Sequence, residues 1–442
     1  MNASQLLKKH KVAEGDHVSV TKSGAVFKGT IIPSSDESVL VLKMDNGYNV
    51  GLDAGSIDSV EKLSSGKRVA KAPSNSLQNI PGLPTILILH TGGTIASRVD
   101  YRTGAVFASF NPEDLVPLFP GLEAIANFES RLLSKMWSED MRFPHYSLIA
   151  KEIGKEIQKN PSLAGIIIAH GTDTMHYSSA ALAFAIQNSP IPIIFVGAQR
   201  SSDRGSSDAH TNMLAAANFI VKSDFSGVAI CMHETSDDDW CAILPACKTR
   251  KMHSSRRDAF QPINDSIIAR VHSKTGEIQF VKTDYLRKGK RVPLIRPDFA
   301  DRVALVKLHT HFSADQLEPY LKYDGLVLEG MALGHAPIAA PNELSKPNLK
   351  NREMLEKILQ KGCVVAMASQ CLFGRVHMHV YDKAVDLANM GVVGCEDMLP
   401  ETAFVKLAWL LGNFKDKDEV KRLIATNLVG EISAFTPIDS HV

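Results

Sequence analysis

Four short runs set the strongest limit on what this chain can fold into: Thr85–His90, Leu163–His170, Ile191–Gly197 and Gly227–His233. Each is rich in Ile and Val, and each is apolar throughout rather than at every second position. Strands of that kind need both faces covered. The stretches between them, Tyr146–Lys159, His176–Gln187 and His210–Val221, are amphipathic with helical spacing. Alternation of this sort predicts βαβ units and a parallel sheet with helices on both faces. With 44% hydrophobic residues in 442, there is enough apolar surface to bury a large core and more than one domain.

A second αβ series begins after the basic, proline-bearing stretch Tyr285–Pro297. It comprises Val303–Leu308, Gly325–Glu329 and Cys363–Ser369, with helices at Asn351–Lys361 and Glu401–Leu411. Pro400 suits the first turn of the last helix, where its missing N–H loses nothing. The N-terminal region follows a different pattern. His17–Thr21, Ala25–Ile32, Ser38–Lys43 and Tyr48–Leu52 are short strands separated by tight turns at Ser23-Gly24 and Asn46-Gly47. These boundaries predict a small β-barrel over residues 1–70 and a linker over 71–84. A larger α/β domain is expected over 85–295, and a smaller one over 296–442.

The net charge is +1 and charged residues make up 22% of the chain. A protein that grips nucleic acid alone is usually more basic, so any such contact must be local or shared with a partner. The basic runs Arg287–Arg291 and Lys8–Lys11 read as solvated surface. There is no apolar signal core at the N-terminus and no membrane-length apolar run. Six cysteines in so long a chain do not form a disulfide framework. The expectation is a cytoplasmic protein with reduced thiols and no membrane contact. Cys231, His233, Cys241 and Cys247 fit no common zinc spacing, so no metal is assigned.

Four motifs carry chemistry. The strand Thr85–His90 runs directly into Thr91-Gly92-Gly93-Thr94, and ligands gather at the carboxyl ends of such strands. The turn reads equally as a nucleophile loop or as a capped tight turn; it lacks the spacing of a phosphate loop. His170-Gly171-Thr172-Asp173-Thr174-Met175 also follows a buried strand and pairs a hydroxyl with a carboxylate, although a helix N-cap would use the same residues. Lys251 lies in a basic run that by itself reads as a solvated face. Beside desolvated threonines, it would serve as a base. Ser138-Glu139-Asp140-Met141 offers a hydroxyl and a carboxylate able to hold the two ends of an amino acid, and it too can be a helix start.

Taken together, TGGTIAS at 91–97, SEDM at 138–141, HGTDTM at 170–175, VGAQR at 196–200 and Lys251 resemble the bacterial-type L-asparaginase family. Three further features make the chain similar to a narrower family, the D subunits of archaeal glutamyl-tRNA(Gln) amidotransferases. These are the N-terminal barrel with Leu42–Val50, the segment Arg98–Val106, and the segment Arg200–Ala209. The resemblance implies a two-domain L-asparaginase-like α/β fold preceded by the small β-barrel. It implies an amidohydrolase that takes ammonia from glutamine or asparagine.

The roles implied by resemblance fall on particular residues. Thr94 would be the nucleophile, with Thr172, Asp173 and Lys251 as a second catalytic relay, and which threonine attacks first stays open. Tyr101 would be a lid residue. Ser138 and Glu139 would bind the amino-acid end of the substrate. No cofactor is expected on this chain. ATP and Mg are expected on a partner E subunit, which would also hold most of the Glu-tRNA(Gln). The assembly implied is a homodimer core within a heterotetramer. The alternatives are a free-standing cytoplasmic L-asparaginase and a non-catalytic binding scaffold.

Overall fold

The structure is a computed structural model. It describes residues 2–32, 34, 36–44, 49–65, 79–92, 97–99, 106–108, 119, 121–200 and 207–436. The turn expected at Asn46-Gly47, most of the stretch expected to link barrel and α/β region, and the positions Thr94 and Tyr101 lie outside these residues.

The N-terminal region is an antiparallel five-stranded sheet in the order Asn49–Asp53, Val39–Met44, Ala25–Ile32, His17–Lys22, Ser59–Ser64. Ser23 and Gly24 both have positive φ, 50° and 79°, which is the conformation a two-residue hairpin turn requires. Every strand sends residues into one core that includes Val20, Ile31, Leu40, Leu52 and Val60. All five strands thus turn residues toward one shared interior.

Two elements of this region carry no clear signal in the sequence. One is the fifth strand. The other is the helix Ala3–His10, which drops Leu6 into the same core. That helix starts with a capping box: Gln5 N–H donates to Asn2 Oδ1 at 2.9 Å, and Asn2 N–H donates to Gln5 Oε1 at 3.1 Å. Lys8, Lys9 and His10 sit in its last turn, where cations suit the helix dipole.

The large sheet has eight strands. Five are parallel, in the order Asn127–Leu132, Thr85–His90, Leu163–Ala169, Pro192–Val196, Gly227–His233. Three more, Trp240–Pro245, Ala269–His272 and Ile278–Phe280, continue it antiparallel. The sheet is thus mixed, whereas the sequence pattern predicts only four of its parallel strands and not Asn127–Leu132 or the antiparallel ones. Alternate residues of the strand Thr85–His90 serve opposite faces. Leu87 and Leu89 pack with the helices Phe143–Lys159 and Met175–Ala185, while Ile86 and Ile88 pack with Ala209–Lys222.

A separate parallel sheet of four strands follows, Val303–Lys307, Gly325–Gly330, Val364–Ser369 and Val393–Gly394. Its helix Pro400–Asn413 begins at the proline expected there. This helix packs on Met175–Ala185, with Phe184 and Trp409 stacked at 5.7 Å between ring centroids. One continuous core therefore runs from Leu87 through Phe184 to Trp409 and Val364. Polar contacts reinforce the joint. Thr402 Oγ1 donates to the Cys247 carbonyl at 2.9 Å, and the fully buried pair Lys248–Asp397 spans it at 2.5 Å.

Candidate active site

The motifs singled out in the sequence converge at the carboxyl ends of three neighbouring strands. At the end of Thr85–His90, Thr91 turns back on the adjacent strand, and its N–H donates to the Ala169 carbonyl at 3.1 Å. Gly92 follows with φ +100°, and a Cβ there would lie 2.5 Å from the Met136 carbonyl oxygen. Both facts exclude other residues at this position, since the backbone is left-handed and pressed against a second chain segment. Thr94 lies two residues further on.

Met136 leads to the 3-10 turn Ser138–Asp140. Ser138 is buried, and Glu139 is exposed. The turn docks onto the His170–Thr174 segment: Thr174 Oγ1 donates to the Ser138 carbonyl at 2.7 Å. A Cβ on Gly171 would meet Ser138 Oγ at 2.8 Å, so glycine is what lets the two turns touch. A helix does begin at 138–141, but it is only the 3-10 turn Ser138–Asp140. The following helix, Phe143–Lys159, is capped from Arg142 rather than from Ser138 or Glu139.

Helix capping also fails as an account of Thr172 and Asp173. The helix after them begins at Met175, with Thr174 in the N-cap position. Both side chains instead meet one amine. Lys251 Nζ donates to Thr172 Oγ1 at 2.9 Å and to Asp173 Oδ1 at 2.7 Å. Lys251 stands in a short hairpin, Thr249–Lys251 paired with Phe260–Pro262. Its side chain is 10% exposed, while Met252–Arg256 beyond it are exposed. The reading of this run as a solvated face holds for its tip and fails for Lys251.

Thr172 is held from behind by the next strand end. A Cβ on Gly197 would fall 2.9 Å from Thr172 Cγ2 and 2.4 Å from Met175 Cε. The backbone after Gly197 is fixed by the buried Asp208 carboxylate, which accepts from Gln199 N–H at 3.0 Å and Arg200 N–H at 3.1 Å.

Two buried histidines, His170 and His176, flank the Thr172–Asp173 turn. His170 places Nδ1 against the Gly171 carbonyl at 2.6 Å and Nε2 against Met141 Sδ at 3.0 Å. Burial pushes it down to about 4, so its ring is neutral and acts as a prop between the two turns. His176 is pushed down to about 3 by burial, with the Arg250 and Lys251 cations adding to the effect. Its ring lies 4.7 Å from that of Tyr177. Arg250, beside Lys251, pairs with the buried Glu401 at 3.1 Å and so ties the Lys251 hairpin to the helix Pro400–Asn413. The sequence holds a hint of that pairing, since Glu401 immediately follows the helix-starting proline.

The arrangement is a buried hydroxyl and an exposed carboxylate that meet on one largely buried amine, one strand away from the glycine turn that follows Thr85–His90. That is the geometry of an activated hydroxyl nucleophile.

Comparison with known proteins places the arrangement in a family. Residues 85–285 match the family model "Asparaginase, N-terminal", and 302–424 match "Glutaminase/Asparaginase C-terminal domain". Residues 12–63 match "GatD N-terminal domain". The D subunit of the glutamyl-tRNA(Gln) amidotransferase of Thermofilum pendens is 42% identical over 428 residues, covering 95% of this chain and 92% of that one. That of Pyrococcus abyssi is 39% identical over 452 residues and covers all of both chains. This chain belongs to the family of glutamyl-tRNA(Gln) amidotransferase D subunits.

Among solved structures, the thermostable L-asparaginase from Thermococcus kodakarensis aligns with a TM-score of 0.68 at 28% identity. It covers 79% of this chain and all of its own length. L-asparaginase I from Vibrio cholerae shares the fold, with a TM-score of 0.67. The D-subunit relatives extend over nearly the whole chain where the asparaginases do not. A free-standing asparaginase is therefore the weaker reading. No helix among the described residues is long and apolar enough to cross a membrane.

Proposed function

We propose that this chain is the glutaminase component of a tRNA-dependent amidotransferase, releasing ammonia from glutamine for the conversion of Glu-tRNA(Gln) to Gln-tRNA(Gln). The observation that carries the reading is end-to-end similarity to amidotransferase D subunits, N-terminal domain included, in a chain whose Thr172, Asp173 and Lys251 are in hydrogen-bond contact.

In this reading Thr94 attacks the side-chain carbonyl of glutamine, giving an acyl-enzyme and ammonia, and water then releases glutamate. A threonine hydroxyl is a weak nucleophile and needs a base in reach. The Thr172 hydroxyl and the Lys251 amine form a relay that takes the proton leaving Thr94 and returns it to the amide nitrogen, which departs as ammonia, while Asp173 holds the amine. Backbone N–H groups of the glycine turn hold the oxyanion. Ser138 and Glu139 receive the amino-acid end of the substrate, and Tyr101 closes over it. Asparagine, one methylene shorter, is the natural competing donor.

This chain is assigned no cofactor. ATP and Mg are assigned to a partner E subunit that also holds most of the Glu-tRNA(Gln). The near-neutral charge of this chain agrees with that division. The proposed assembly is a cytoplasmic heterotetramer built on a dimer of this chain.

The test is to incubate the purified chain with glutamine, alone and with the E subunit, ATP and Glu-tRNA(Gln), measuring ammonia and Gln-tRNA(Gln). Ammonia release that rises with partner and tRNA, with matching Gln-tRNA(Gln), is expected. Strong asparagine hydrolysis that ignores both would overturn the reading in favour of a free-standing asparaginase.

A further inference from the structure

The two walls of the Thr172 site are connected by a chain of polar groups that runs through the protein interior. It starts at Gly197, whose position against Thr172 admits no side chain. The Gly197 carbonyl accepts from Asn212 Nδ2 at 3.0 Å, and the same nitrogen donates to Asp208 Oδ2 at 3.2 Å. Asn212 Oδ1 faces His233 Nδ1 at 2.7 Å. His233 Nε2 faces Asp238 Oδ1 at 3.2 Å. Asp238 Oδ1 also receives Arg257 Nη1, and Arg257 Nη2 reaches the Ser236 carbonyl. Arg257 lies in the hairpin loop that carries Lys251, and Lys251 closes the circuit on Thr172.

Counting donors and acceptors fixes the charge of the central ring. The Gly197 carbonyl and the Asp208 carboxylate can only accept, so the amide nitrogen of Asn212 must face them and its oxygen must face His233. Nδ1 of His233 therefore meets an acceptor. Nε2 meets a carboxylate, another acceptor. A neutral imidazole has one N–H and satisfies only one of the two; an imidazolium satisfies both. His233 is fully buried, so an unsatisfied contact there has no water to relieve it.

We infer that His233 is a buried imidazolium that acts as a positioning residue, coupling the Lys251 hairpin to the Gly197–Arg200 wall and so setting the Lys251–Thr172 contact. The inference rests on the reading of Lys251 and Thr172 as catalytic. The charged groups around the ring agree with it. Asp208 and Asp238 are carboxylates, Arg257 is compensated by Asp238, and Cys231 and Cys241 place their thiols on the same asparagine. Burial alone would push His233 down. The hydrogen bonds and charges of Cys241, Asp208 and Asp238 outweigh it, and the group lies above the ordinary histidine value.

The proton is held below and through the ordinary histidine range and is lost as pH rises through the raised value. Above it the two walls uncouple, and turnover falls.

Two measurements test this on the full chain. In the wild type labelled with 15N-histidine, with His233→Gln used for assignment, both ring nitrogens of His233 should carry the imidazolium shift at pH 6.5. A neutral tautomer there would overturn the inference, whatever the activity. In the glutaminase assay with partner and tRNA, Asp238→Asn removes the negative charge that faces His233 Nε2, at a side chain that is largely exposed. It should lower kcat about tenfold, with KM for glutamine changed far less, and move the alkaline limb of the pH profile to lower pH. An unchanged kcat and limb, or a uniform loss at every pH with the limb in place, would contradict a positioning role. If the wild type releases no ammonia at all, the functional reading fails, while the nitrogen shifts still decide the state of His233.

Discussion

Lys248 and Lys251 stand three residues apart on one segment, and the fold uses them in opposite ways. Lys248 is fully buried and meets an equally buried carboxylate, Asp397, at 2.5 Å. Its amine also reaches the Asp397 backbone carbonyl. Burial draws its pKa below the ordinary lysine value, and the Asp397 contact opposes that without cancelling it. Lys251 is 10% exposed, and one of its two acceptors is a hydroxyl. Its carboxylate partner, Asp173, is 63% exposed. A lysine closed off with a matched carboxylate can only hold two parts of the structure together. A lysine beside a hydroxyl, at the edge of solvent, can exchange a proton with it.

The contrast can be broken at four places. The largest effect is expected for Thr172→Val, which removes the hydroxyl and keeps the shape. Ammonia release should fall by about 10³-fold, the scale of a lost proton-transfer group, with the melting curve unchanged. Next comes Lys248→Met, which leaves Asp397 buried and unpaired. Stability to urea should drop by about 3–5 kcal/mol, and Lys248→Met with Asp397→Leu should recover much of it.

The third effect concerns His170. Its folded value of about 4 lies below the ordinary 6.5, so the unfolded chain binds the extra proton first. The stability contributed by the neutral ring is therefore complete above about pH 6.5 and is lost as pH falls towards 4. Urea midpoints should decline across that window, and His170→Asn should flatten the decline. The smallest effect is expected for Gly171→Ala. Its Cβ would lie 2.8 Å from Ser138 Oγ, and overpacking there should destabilise by about 1–3 kcal/mol while raising KM for glutamine.

Much of this is legible in the sequence. The central strands are apolar at every position because helices cover both faces, and that pattern is visible without a structure. The motifs at 91–94 and 170–175 are legible because strand ends with glycines mark where backbones must approach closely. Lys251 is legible only through resemblance; as part of a basic run it looks like its solvated neighbour Arg256.

Other features leave little trace in sequence. The antiparallel strands Trp240–Pro245, Ala269–His272 and Ile278–Phe280 lack the helical intervals that flag the parallel ones, and the last two are short and mixed in polarity. The buried pairs Lys248–Asp397 and Lys406–Glu431 join residues far apart in the chain, and a lone lysine in sequence is read as surface. His233 falls among cysteines and looks like a poor metal ligand. Its partners Asn212 and Asp238 are supplied by a helix and a loop that only the fold brings together.

The most direct measurement compares Lys251→Met with Lys248→Met in one assay: ammonia released from glutamine per folded molecule, with the E subunit and Glu-tRNA(Gln) present. The account predicts that Lys251→Met abolishes release while melting like the wild type. Lys248→Met should melt earlier yet keep its turnover, within a few-fold, at temperatures where it is folded. Ammonia release by Lys251→Met at the wild-type rate would contradict the assignment of the site.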